Sequence, residues 1–386
     1  MFSTALRRTN QALAAFGICS ILVMLSLVSS VSAQDLGGKF REDQRELAEL
    51  FDAVYIAQAT MFEGIAEIDR SGRSRAARDE FERSLRRRAD MSMAEMMAMM
   101  RMDSHASMPG PFDEMESALR SDIIALLQRR HAREEILGAY DNSPLPSRVI
   151  ETIRLGRLFE RDLYEIFADD AISDKRVALS DAVATYLASE LAVPAQPMPA
   201  GETYDRPYSG AFARGFPKLS KLLWSTQWLQ LATIEAMILQ EQAAYYWDSI
   251  ETVKQRFENK IADGSEGAES PMPVELPMTP AIAPRLFTLS AESAIILDNL
   301  NMFETVVADI LSYPNLAEKT VLLNALVEEF TDRAENFETT IDYLVSALRG
   351  GIFNQGGPAV GELLQSERNR SRMEMGMQHS MIMSTQ

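Results

Sequence analysis

Methionine is the residue whose placement most suggests chemistry in this chain. Eight methionines fall within one short stretch, at Met91, Met93, Met96, Met97, Met99, Met100, Met102 and Met108, and Met115 follows. Five more, Met373, Met375, Met377, Met381 and Met383, crowd near the C-terminal end. Fourteen of 22 methionines thus sit in two small segments, which also hold His105 and His379, two of the three histidines. A general demand for apolar bulk would spread them along the chain. Thioether sulfur is a soft, neutral donor suited to Cu(I) and, by extension, Ag(I), and it binds without losing a proton. The M-x-M spacing from Met373 to Met383 would let a pliable chain wrap two or three sulfurs around one ion, with an imidazole from His105 or His379 as a nitrogen donor.

This local pattern resembles the methionine-rich motifs of periplasmic copper-handling proteins. The resemblance covers the two segments alone and implies a soft-metal ligand set, not a fold. Other readings compete with it. Met93, Met96, Met97 and Met100 follow i, i+3, i+4, i+7 and would form an apolar stripe on a helix, where methionine is an adaptable packing residue. Behind the arginine run from Arg70 to Arg88, that stripe could instead grip a partner in the cell envelope, or a membrane surface along the Arg70–Met102 segment. Glu80, Glu82 and Asp79 interleave with those arginines, as on a solvated helix face. For the tail, oxidant scavenging by exposed methionines is the rival.

Conventional catalytic patterns are missing. No G-x-S-x-G, phosphate-binding glycine loop or zinc spacing occurs. His131 precedes Glu134 by one turn, but a di-iron bundle needs repeated Glu-x-x-His, which does not occur, so His131 is expected at the surface. Glu235 and Glu241 could do acid–base work if buried together; the expectation is that they edge an amphipathic helix. A non-enzymatic role follows.

The setting favours thioether over thiolate. Arg7 and Arg8, the apolar run from Ala14 to Val28 and Val31-Ser32-Ala33 read as a secretory signal cleaved after Ala33, with retention as an N-terminal membrane anchor as the alternative. The lone cysteine, Cys19, lies inside that signal, so the mature chain has neither disulfide nor thiolate. The leader removes two of 38 basic residues and no acid, leaving 36 against 56 acidic residues and a net charge of −20. Such a body repels nucleic acid and anionic lipid.

The elements that must position these residues read as helices throughout. Apolar residues recur at helical spacing, as in Leu47, Leu50, Phe51, Val54, Ala57 and Met61, or Leu155, Leu158, Phe159, Leu163 and Ile166, and strand alternation is not sustained. The pattern predicts an all-α protein of multi-helix bundle blocks, with proline-rich linkers and a disordered C-terminal tail. Its divisions are a signal at 1–33, a helical block over 34–192 bearing the Met-rich helix, and linkers at 193–217 and 264–284, which hold ten of 16 prolines. Between the linkers lies a central aromatic-rich long helix, 218–263. A helical pair at 285–349, opened on its second helix by an Asn315/Glu318 capping signal, and a Met-rich tail at 350–386 complete the chain. Trp224 and Trp228, one turn apart, and Trp247 are expected in the core. Phe-Glu pairs at 62, 81, 159, 257, 303 and 337 each suggest an aromatic turned inward with a carboxylate beside it, as on an amphipathic helix.

Overall fold

A computed structural model of the chain describes residues 38–89, 109–199, 206–242, 247–262, 276–315, 318–333, 337 and 339–348. Among these residues there are fifteen α-helices and no strand, the all-α architecture that the periodicity predicts. None of the described helices is long and apolar enough to cross a membrane. The expected tail, 350–386, lies outside the described residues.

One short helix and three longer ones build the first part: α1 (Lys39–Asp43), α2 (Arg45–Arg70), α3 (Arg75–Ala89) and α4 (Asp113–Leu127). The apolar stripe of α2, including Leu47, Val54, Met61, Phe62 and Ile65, is buried. The arginine run begins at the end of α2 and from Arg75 onward lies on α3, where it behaves as a solvated face: Arg83 and Arg87 pair with Glu80, and Arg86 with Glu82, the side chains at 80, 83, 86 and 87 being well exposed. Next come α5 (Arg133–Leu137), α6 (Ser147–Ala168) and α7 (Lys175–Leu187), which Asp174 opens by accepting the backbone N–H groups of Arg176 and Val177.

The middle of the chain differs from the single long helix expected there. After α8 (Ala211–Gly215), helix α9 (Pro217–Gln242) is buried nearly all round, and α10 (Ser249–Ile261) then runs back against it. The Ser249 hydroxyl donates to the Ala236 carbonyl at 2.9 Å. Lys260 lies over the rings of Trp224 and Trp228, and Arg256 over Trp228. These cation–π contacts hold the hairpin closed. Trp224 and Trp228 are core, but Trp247, at the turn, is 78% exposed and so departs from the expectation.

The last part holds four helices where a pair was expected: α12 (Pro284–Leu289), α13 (Ala291–Ser312), α14 (Lys319–Thr331) and α15 (Thr340–Leu348), preceded by the single-turn α11 (Thr279–Ile282). The capping signal also works differently. Glu318, not Asn315, is the residue before α14, and it holds a left-handed backbone (φ 63°) without a side-chain cap. The Asn315 side chain instead donates to Glu82 on α3 at 2.8 Å.

The proline-rich stretches are packed where they are described. Val193, Met198, Ala211, Phe212 and Phe216 from the first, and Ala281, Ile282 and Ala283 from the second, belong to one continuous apolar core reaching from Phe40 to Phe330. Prolines begin helices here, as Pro217, Pro280 and Pro284 do, because a missing N–H costs nothing in a first turn.

Candidate functional site

The proposed metal ligands Met91, Met93, Met96, Met97, Met99, Met100, Met102, His105 and Met108, and Met373, Met375, Met377, His379, Met381 and Met383, all lie outside the described residues. The chain on either side of the first cluster is firmly seated. Phe81 and Leu85 on α3 are buried, and Phe112, just before α4, packs edge-on against Phe81 with ring centres 5.8 Å apart. Met115 packs against the core. Among the described residues, no group of three or more His, Cys, Asp or Glu side chains could hold a metal ion.

What the described residues do form is a cavity of about 590 Å³ lined from α1, α2, α5 and α6. Helix α6 contributes most. Its residues Glu151, Arg154, Arg157, Arg161, Tyr164 and Glu165 recur at spacings of three and four and so share one face, while Val149, Ile153, Phe159 and Leu163 on the opposite face enter the core. Leu155 and Leu158, which helical spacing alone would send into the core, line the cavity and are half-buried. Five arginines, at 41, 133, 154, 157 and 161, face four acids, Asp52, Glu151, Glu160 and Glu165. This guanidinium-rich hollow belongs to a chain of net charge −18.

One wall is aromatic. Phe40, Phe51 and Tyr164 stack with ring centres 4.7 to 6.1 Å apart. Glu165 accepts the backbone N–H of Phe40 at 3.0 Å, fastening α1 to α6. Behind this wall, Arg157 pairs with Glu160, which also accepts the Tyr164 hydroxyl and, at 3.3 Å, the Gln230 side-chain amide from α9. Arg157 in addition donates to the Phe51 carbonyl at 3.3 Å and lies over the Tyr55 ring. Deeper still, Glu304 on α13 accepts from Gln227 at 3.4 Å. Burial opposes the charge of Arg157, but Glu160, Glu304 and Tyr164 more than offset it and its pKa rises. Burial also pushes the carboxyl of Glu304 up, against hydrogen bonding from Gln58 and the charge of Arg157. The Tyr164 hydroxyl is raised by burial and then by Glu160.

Two members of this network, Glu160 and Glu304, belong to the recurrent Phe-Glu pairs. The described phenylalanines at 62, 81, 159, 257 and 303 turn inward as expected, and Glu63 and Glu258 are solvated. Glu160 and Glu304 are buried, 6% and 7% exposed, because Arg157 and the glutamines lie within reach. The arginine spacing on α6 was the available sequence signal for this site.

Each carboxylate facing the cavity is already engaged: Asp52 by Arg41, Glu151 by Arg154, Glu160 by Arg157, and Glu165 by the Phe40 amide. That arrangement suits binding better than proton transfer, which needs a carboxylate presented to a reacting atom. Glu235 and Glu241 do not form a catalytic pair either. Glu235 is fully buried, contrary to the amphipathic-edge expectation, because Arg285 reaches it with both its guanidinium (2.8 Å) and its backbone N–H (3.0 Å). Glu241 pairs with Lys175 on α7. The side chain of His131 is likewise buried rather than at the surface. Its Nε2 meets the Leu126 carbonyl at 2.9 Å and its Nδ1 lies 3.4 Å from Glu135, not Glu134, so the imidazole ties the end of α4 to α5.

Compared with models of protein families, with curated proteins and with solved structures, the chain matches none.

Proposed function

We propose that this chain is an exported, non-enzymatic protein of the cell envelope that holds Cu(I) or a similar soft ion through its two methionine-rich segments. The concentration of fourteen of 22 methionines and two of three histidines in those segments carries the reading. The described methionines outside those segments supply a contrast. Met61, Met198, Met237, Met278 and Met302 occur singly along the chain and are buried, which is how methionine serves packing. Clustering therefore marks a different demand. Three thioethers, or two thioethers and the imidazole of His105 or His379, would complete a trigonal soft site.

The test is a competitive titration of the full chain with Cu(I) against a chelator of known affinity. Tight binding is expected, with loss of a site when Met373, Met375, Met377, Met381 and Met383 are changed to leucine. A second variant carries leucine at Met93, Met96, Met97 and Met100. Leucine preserves bulk and apolarity, so a packing stripe or a partner-binding surface tolerates it, whereas a sulfur site does not. Unchanged Cu(I) affinity in both variants overturns the proposal in favour of a helical scaffold whose methionine stripe grips a partner or the membrane surface.

A further inference from the structure

The cavity on α6 uses none of the methionines and asks for a different ligand. Its size falls within the roughly 300–1,000 Å³ range of small-molecule sites. It combines an apolar wall, from the Phe40/Phe51/Tyr164 stack and Leu155 and Leu158, with a guanidinium stripe from Arg154 to Arg161. The arginines differ in how far they are neutralised. Arg157 is held by Glu160, Arg154 by Glu151 at 2.8 Å, and Arg41 by Asp52. Arg161 is paired far more loosely. Its nearest carboxylate, Asp162, is 3.9 Å away, beyond hydrogen-bond reach, and does not line the cavity. Its side chain is 26% exposed, so a ligand can reach it while most of its surface is already out of water.

We propose that this cavity binds a small amphipathic organic anion, its carboxylate held by Arg161 and its apolar body laid against the aromatic wall. The two parts of the ligand follow from two separate features. The stacked rings and leucines reward burial of an apolar body, and a planar guanidinium offers a carboxylate two parallel N–H donors. The Arg157–Glu160–Tyr164–Gln230 network fixes the rings from behind, and Arg161, whose contact with Asp162 is long, has donors to offer a ligand oxygen.

The test uses the full chain and three probes with a common body: 4-phenylbutyrate, its neutral amide and 4-phenylbutylamine, each titrated calorimetrically. The acid is expected to bind about tenfold more tightly than the amide, the ratio of one charge-assisted contact, with the amine weakest. Arg161→Gln should abolish the preference for the acid while leaving amide binding in place, a readout that a folding defect would not give. Arg83→Gln, on the exposed face of α3, serves as the control and should change nothing. Leu158→Ala should weaken acid and amide alike. Equal affinity for acid and amide, tighter binding of the amine, an unaltered preference in Arg161→Gln, or no binding of any probe each overturns the proposal. All of these outcomes are independent of Cu(I).

Discussion

Glu116, on α4, accepts the backbone N–H of Leu219 at 2.9 Å and that of Lys218 beside it at 2.6 Å, so one helix supplies the cap for the first turn of another. The first-turn amides of a helix have no partner within it, and a buried amide left unpaired costs free energy. Since Leu219 and Glu116 are both fully buried, water cannot replace this carboxylate. Glu116→Ala should therefore destabilise the fold by about 1–3 kcal/mol in chemical denaturation. Glu116→Gln, which keeps a carbonyl oxygen, should cost clearly less. Equal costs for the two would show that the cap contributes little.

Two glycines permit close approaches of different hardness. A Cβ on Gly110 would stand 2.6 Å from the Gly215 carbonyl oxygen and 2.7 Å from Pro217 Cδ, whereas on Gly156 it would meet the methyl ends of Leu300 at 2.7 and 2.9 Å. A leucine end can rotate aside; a carbonyl and a proline ring cannot. Gly110→Ala should thus lose about 2–3 kcal/mol and Gly156→Ala about 1 kcal/mol. Combining Gly156→Ala with Leu300→Ala should remove the steric part of the loss, leaving only that of the leucine itself. A reversed order of the two single variants would count against the assigned contacts.

Acidification from neutrality should stabilise the protein. Burial pushes Glu116 and Asp298 up to about 7 and Asp309 up to about 6. For a carboxyl raised in the folded state, the folded chain holds the proton more tightly than the unfolded one. Its contribution is complete below the unfolded pKa near 4 and is lost as pH rises through the folded value. The opposite case is Glu135, which hydrogen bonding from Arg129 lowers to about 2, so its contribution is lost as pH falls below about 4. Urea midpoints should accordingly rise from pH 8 to about pH 5 and fall again in stronger acid. Asp298→Asn should flatten the slope between pH 5 and 8; a midpoint that climbs towards pH 8 contradicts the assignment.

Tryptophan fluorescence should resolve into two populations. Trp228 is fully buried and Trp224 nearly so, while Trp247 is 78% exposed. Acrylamide should quench one fraction readily and leave the rest protected. Trp247→Phe should remove the accessible fraction and shift the remaining emission to shorter wavelength. Full accessibility of all three residues would refute the α9/α10 hairpin.

Helical periodicity made the all-α class and the buried faces of α2, α6 and α9 legible, because repeat spacing is a local property of the sequence. Non-local pairing was not legible. Between Gln242 and Asp248 there is neither glycine nor proline to announce a turn; the pairing of α10 with α9 is seen only in non-local contacts such as Arg256 and Lys260 over Trp228. Glu235 is buried because Arg285, fifty residues on, folds back to it, and His131 because α4 and α5 close around it. The candidate cavity could have been suspected from the spacing of Arg154, Arg157 and Arg161, but the Arg41–Asp52 pair and the Phe40 and Phe51 rings of the aromatic stack come from α1 and α2.

The continuous core has a consequence for how the chain responds to a cut. Cleavage between Ala262 and Leu276 would produce two pieces, yet the buried Glu235–Arg285 pair and the packing of α9 against α11 and α12 join one piece to the other. The nicked protein should migrate as a single species until denatured, and its fragments, expressed separately, should each lack half of a shared interior and assemble on mixing.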